Sequence, residues 1–128
     1  MNHVTDFVIR IKNASLARRK SVTMPYSNVN KAIAKTLVKS GYLAEIKEGE
    51  AEGKRVLLAG LRYESRKSVV TDVEIISKPS LRTYIGAKDL GQTKAGSATL
   101  VVSTSQGIMT GKEAIKKGLG GELLFRIW

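Results

Sequence analysis

The sequence predicts an α+β fold in two lobes. The first, residues 1–64, is an α/β lobe ordered helix–strand–helix–strand–strand. It packs against a mainly β lobe over residues 65–128 that carries one short helix. Three observations lead there. Apolar residues recur at helical spacing in two early stretches. Alternating or continuous β-branched runs fill most of the remainder. A polar break, Ser65-Arg66-Lys67-Ser68, separates the two regimes.

The first helix is expected from about His3 to Ala17, with Val4, Phe7, Val8, Ile11 and Ala14 forming one apolar stripe. Ser21-Val22-Thr23-Met24 alternates and stops at Pro25, which reads as a short strand. Ser27 is placed to cap a second helix reaching Ser40, and Gly41 follows it as the left-handed terminator. Val29, Ile33 and Leu37 mark its buried side. Lys31, Lys35 and Lys39 form a basic ridge on another side, which is either a solvated lysine face or a phosphate contact. No acidic residue occurs between Phe7 and Ala44, and that favours phosphate.

Tyr42–Lys47 and Arg55–Tyr63 read as strands around the acidic connector Glu48–Gly53, which should face away from any polyanion. Val69–Ile76 reads as a strand. Lys78–Tyr84 then brings a proline turn, a guanidinium at Arg82 and a ring at Tyr84. Arg82 could pair with a phosphate. Tyr84 could stack on a base or ribose, or simply pack on a strand. Residues 86–97 read as loop.

The unbroken apolar run Ala98–Val102 is a buried strand that delivers Ser103-Thr104-Ser105-Gln106-Gly107, a short polar loop. Thr110-Gly111-Lys112-Glu113 is a capping box opening a helix to Lys117, where Lys116 and Lys117 complement the helix end. Gly118-Leu119-Gly120-Gly121 breaks that helix. Glu122–Trp128 closes as an alternating strand, with Leu123, Phe125 and Ile127 on one face. A rigid strand and a capped helix thus hold a cluster of short hydroxyl side chains between them.

Composition narrows the partner. The chain has 22 Lys plus Arg against 11 Asp plus Glu, a net charge of +11 and a pI near 10.1. Residues 1–64 hold 12 basic and 6 acidic side chains, and residues 65–128 hold 10 and 5, so the excess is spread through the fold. Such self-repulsion favours a polyanionic partner, most commonly nucleic acid. With 42% hydrophobic residues the chain can fill a core. It has no cysteine, no 18-residue apolar run and no signal peptide, so a protein free of membranes and disulfides is expected.

Enzymatic readings find little support. The glycines at 118–121 follow a helix and match neither the phosphate-binding loop nor the dinucleotide fingerprint. His3 is the only histidine, no metal-ligand spacing exists, and no cofactor is expected. An enzyme acting on RNA and a free-standing RNA-binding repressor are the competing classes.

Several stretches in register resemble the bacterial small-subunit ribosomal protein S8 family. They are Arg10-Ile11-Lys12-Asn13-Ala14, Val22-Thr23-Met24-Pro25, Lys78-Pro79-Ser80-Leu81-Arg82-Thr83-Tyr84, Val101–Thr110 and Gly118-Leu119-Gly120-Gly121-Glu122. Gln106 stands where the family usually has lysine, and Ser80 where it usually has glycine. The resemblance implies a structural constituent of the small subunit that binds the central domain of its ribosomal RNA and helps assemble the platform. It implies RNA contact through Lys31, Arg82, Tyr84, Ser103, Thr104, Ser105, Gln106, Gly107, Gly120, Gly121 and Glu122. It also implies small-subunit proteins five and twelve as neighbours. In some members it implies the operon's own messenger RNA as a second target, and the location is a cytoplasmic or organellar ribosome. In physical terms, the hydroxyls of Ser103, Thr104 and Ser105 both donate and accept, as reading riboses and bases requires. Glu122, which would repel a phosphate, either accepts from a base amine or 2′-hydroxyl or holds the loop.

Overall fold

A computed structural model describes residues 3–93 and 96–128; the His3 side chain and residues 94–95, part of the expected 86–97 loop, lie outside the described residues. The chain divides into two compact units, Met1–Thr71 and Asp72–Trp128. Ser65 and Arg66, expected at a lobe boundary, instead form a hairpin turn inside the first unit, at φ 50° and 68°.

The first unit runs α1 (His3–Leu16), β1 (Ser21–Pro25), α2 (Asn28–Lys39), β2 (Leu43–Ala51), β3 (Lys54–Leu61), β4 (Tyr63–Glu64) and β5 (Lys67–Ser68). Its main sheet is antiparallel in the order β1-β3-β2. Register puts Met24 beside Leu57, and Ala59 beside Val22 and Ile46, on the face that both helices cover. The stripe Phe7, Val8, Ile11 and Ala14 is buried as its spacing predicts. On α2 the buried side is rotated from the expectation. Val29 is exposed and Asn30 takes its place in the interior, donating from its amide to the Pro25 carbonyl at 2.9 Å. The expected acidic connector is mostly strand. β2 and β3 continue to a two-residue turn, Glu52-Gly53, whose φ of 52° and 76° suits the twist of a hairpin.

The second unit runs β6 (Val73–Ile75), β7 (Tyr84–Ile85), α3 (Ala87–Gln92), β8 (Thr99–Thr104), β9 (Gly107–Thr110), α4 (Gly111–Lys117) and β10 (Gly121–Ile127). β10 is its axis. It pairs with β8 along its length on one side. On the other it pairs with β7 at its start and β6 at its end. Leu90 of α3 and Ala114 of α4 close over Val102, Met109 and Leu123. α3 replaces part of the expected loop.

The expected single face of Leu123, Phe125 and Ile127 is broken. Leu123 pairs with Val102 but Phe125 pairs with Val101, so a bulge at Leu124 turns the strand over. The bulged Leu124 carbonyl still accepts N–H groups from Ile76 and Ser77, so the bulge leaves it satisfied.

Candidate nucleic-acid interface

The second unit brings most of the sequence-predicted residues together on one face. Cross-strand partners share a face of a sheet. Glu122 of β10 sits opposite Tyr84 of β7 on one side and Ser103 of β8 on the other, and Ser103 sits opposite Ile108 of β9. Tyr84, Glu122, Ser103 and Ile108 therefore form a row across four strands. Leu123, Val102 and Met109, one residue along, point the opposite way into the core. That alternation lets one stretch of sequence anchor the unit and display polar groups at once.

The stretch Ser103–Gly107, expected as a loop, belongs to a β-hairpin with Ser105-Gln106 as its two-residue turn. Thr104 builds that turn. Its hydroxyl donates to the Gly107 carbonyl at 2.7 Å and accepts the Gln106 N–H at 3.1 Å. Gly107 adopts φ 114°, a conformation that suits glycine. Ser105 and Gln106 are exposed at the tip, and among the described residues no hydrogen bond engages either side chain. Thr104 is thus a shaping residue, while Ser105 and Gln106 are free to meet a partner.

Tyr84 is 70% exposed, so its ring is not taken up in strand packing. Arg82, half exposed, reaches Glu122 at 3.3 Å, and the Glu122 side chain retains 14% exposure. The glutamate engages one terminal nitrogen of the guanidinium, and the Arg82 side chain stays half exposed. Gly120 and Gly121 serve the chain itself. A Cβ on Gly121 would strike the Ser103 carbonyl, and one on Gly120 would strike the Ile85 carbonyl and come within 2.7 Å of the Ala87 nitrogen. The close approach expected of them is met by their own backbone, which presses β7 and the hairpin against β10.

Downstream, Thr110 caps α4 by accepting the Glu113 N–H at 3.2 Å, as the capping box predicts. Gly118 ends the helix at φ 67°. Pro79 and Ser80 lie between Lys78 and Leu81, which exchange two backbone hydrogen bonds of 3.0 Å, and this tight turn leaves Leu81 71% exposed.

Lys31 belongs to the first unit, where it is ion-paired. Its ammonium lies 3.4 Å from Glu48, and the Arg55 guanidinium lies 2.7 Å from the same carboxylate. Arg55 also stacks 3.8 Å over the Tyr26 ring. The Arg55 hydrogen bond, aided by Lys31, holds the Glu48 carboxyl below the usual range and raises Arg55 in turn. This cluster was not foreseen, because it joins residues from α2, β2, β3 and the β1–α2 link that only the register brings together. Ile108 was also missed; the alternation Gly107-Ile108-Met109-Thr110 was the available signal.

Among the described residues no group of three or more His, Cys, Asp or Glu side chains could hold a metal, and no helix is long and apolar enough to cross a membrane. The fold and this face define a basic α+β protein that presents polar groups and a ring on one sheet face. A family model described as ribosomal protein S8 matches residues 2–128, and the chain belongs to that family, a structural constituent of the small ribosomal subunit and not an enzyme. Curated relatives agree along nearly the whole length. The small ribosomal subunit protein uS8 of Mycoplasmopsis agalactiae is 40% identical over 126 residues, covering 98% of this chain and 95% of the relative. That of Acidithiobacillus ferrooxidans is 40% identical over 121 residues, covering 94% and 92%. That of Nostoc punctiforme is 39% identical over 127 residues, covering 98% and 96%.

Proposed function

We propose that this chain binds small-subunit ribosomal RNA directly, in the central domain, and helps assemble the platform there. The observation that carries this reading is the row of Tyr84, Glu122 and Ser103 on three adjacent strands, with the exposed Ser105-Gln106 turn at its end. An exposed ring can stack on a base or ribose, and a hydroxyl can both donate to and accept from a 2′-hydroxyl. Arg82 adds a phosphate contact, Gly107 shapes the tip, and Lys31 adds charge from the first unit once a phosphate competes with Glu48. Gly120 and Gly121 hold the face in shape. Proteins five and twelve of the subunit are its proposed neighbours, and the operon's own messenger RNA a proposed second ligand. The setting is a cytoplasmic or organellar ribosome.

Salt titrations test the reading, using a central-domain RNA hairpin and an unrelated hairpin. Wild type should keep a clear preference for the first near physiological salt. Ser105→Ala combined with Glu122→Ala should reduce that preference more than Lys35→Ala does. Equal losses on both RNAs for all variants would show that the face does not read the site. Gln106, with no charge where the family has lysine, should leave the salt slope shallower by about 0.7–0.9 than that of a Gln106→Lys variant.

A further inference from the structure

The acidic stretch 45–52 has no role in the RNA-facing surface, and the fold puts it on an open edge. β2 is the outer strand in the order β1-β3-β2, and no strand among the described residues pairs with its far side. We propose that this edge is a docking site for an extended protein segment in which basic and apolar residues alternate, added to the sheet as a strand beside β2. The proposal goes beyond the reading of the chain as an RNA-binding protein and uses a surface that RNA would avoid.

The open edge is a property of the backbone. The Tyr26 N–H donates to the Arg55 carbonyl at 3.2 Å, so Arg55 turns its backbone groups away from β2, while Lys54 and Val56 turn theirs toward it. Register sets Ala51 against Lys54, Gly49 against Val56 and Lys47 against Leu58. Those residues of β2 are bonded to β3. The N–H and carbonyl groups of Ile46, Glu48 and Glu50, which alternate with them, point outward. Among the described residues no backbone hydrogen bond of a turn, loop or cap engages these three. A bulge between Leu43 and Glu45 closes the regular edge at one end, and the Glu52-Gly53 turn closes it at the other. The open length suits a partner strand of about six residues.

Side chains then select the occupant. Alternation puts Ile46, Glu48 and Glu50 on one face of the strand. Glu48 is taken by Lys31 and Arg55. Glu50 and, at the turn, Glu52 are exposed and form no ion pair among the described residues. On the other face Lys47 and Glu45 pair with each other at 3.7 Å, and Gly49 leaves the strand bare. A Cβ on Gly49 would come within 2.8 Å of Leu58 Cδ1, so Leu58 leans over the glycine toward the edge, 36% exposed. An incoming strand therefore meets carboxylates on one face and an apolar side chain on the other, and its own residues alternate between those faces.

Charge separates the basic segment from other occupants. Residues 45–52 hold four glutamates and one lysine in a chain of net charge +11. RNA would set its phosphates against Glu50 and Glu52. A second copy paired about Glu48 would place that carboxylate against its twin, and two copies of a +11 chain repel at longer range. A basic segment gains Coulomb attraction and backbone hydrogen bonds together, so it is the occupant the edge fits.

The test uses the full chain and a peptide of alternating lysine and valine, about eight residues long. The peptide should slow hydrogen exchange at the Ile46, Glu48 and Glu50 amides about tenfold or more and leave β1, the other edge of the sheet, unchanged. The same peptide N-methylated along its length keeps its side chains but cannot donate to the edge, and should lose the effect. Glu50→Gln combined with Glu52→Gln should weaken peptide binding about threefold to tenfold, with a melting temperature close to that of wild type and no loss of binding to the central-domain RNA hairpin. A glutamate–valine peptide that protected the three amides equally would overturn the charge argument and with it the partner. Protection that rose with protein concentration alone would assign the edge to a second copy, and protection by an RNA hairpin would assign it to nucleic acid; either overturns the proposal. Amides left unprotected at about 1 mM lysine–valine peptide would overturn it as well, whatever preference the chain shows among RNA hairpins.

Discussion

A Cβ on Gly121 would meet the carbonyl of Ser103 and lie 2.9 Å from the carbon behind it, and neither atom can swing aside as a flexible side chain would. Gly121→Ala should therefore cost about 3 kcal/mol through backbone displacement at the β8–β10 seam. Gly91→Ala, in α3 with nothing within 4 Å of the added carbon, should change stability by less than about 1 kcal/mol. Urea unfolding midpoints of the two variants measure the contrast, and equal shifts would contradict the packing argument. The sign of the Glu48 effect is equally definite. Its carboxyl is held below the ordinary range by Arg55 and then Lys31, so the charged form is favoured in the folded chain. That contribution is complete at neutral pH and is lost as pH falls through the depressed value. Glu48→Gln removes it, so the melting temperatures of variant and wild type should converge as pH drops from 7 to 3. A constant gap would mean that Glu48 acts through something other than its charge. The pair is exposed, so the gap at neutral pH is expected to be small.

At the scale of elements, the caps argue for themselves in energy. Thr110→Ala should cost about 1 kcal/mol, since the Glu113 N–H loses its acceptor, while Thr110→Ser keeps the oxygen and should cost much less. Thermal melts of both variants check the difference. This cap was legible in the sequence, as were α1 and the strand nature of β1, β8 and β10, because each is written in local spacing or in one side chain's reach. What stayed hidden was set by partners distant in the chain. Ser103–Gly107 reads as a loop because hydroxyls and glycine favour turns, yet β8–β9 pairing overrides that tendency for all but Ser105 and Gln106. The six residues of α3 begin after one glycine and include another, and what holds them is the burial of Leu90 against Val102 and Ala114. Val29 and Asn30 exchanged places because a carbonyl at Pro25 needed a donor, which a hydrophobicity pattern does not record. At the candidate face, the residue types were legible. Their division into shaping groups, Thr104, Gly120 and Gly121, and displayed groups, Tyr84, Ser105 and Gln106, was not, because it depends on which backbone each one touches.

At the scale of the whole molecule, the net charge of +11 sets two responses to salt that run in opposite directions. Ion pairs such as Arg62–Glu64 at 3.0 Å and Lys47–Glu45 at 3.7 Å are exposed, and each of these contributes roughly 0–1 kcal/mol before screening. Against them stands a twofold excess of basic over acidic side chains, present in both halves of the sequence. Repulsion among the surplus charges is longer-ranged than any one pair, so screening relieves more than it removes. The free chain should therefore melt at a higher temperature in 300 mM than in 20 mM sodium chloride, while its affinity for RNA falls over the same range. A polyanion that neutralises the surplus locally should raise the melting temperature further at low salt, where its own binding is strongest. Melts at the two salt concentrations, with and without an unrelated RNA hairpin, separate these effects. A melting temperature that falls with salt in the absence of RNA would mean that the ion pairs outweigh the net repulsion. The basic excess would then serve association alone and carry no cost in the stability of the fold.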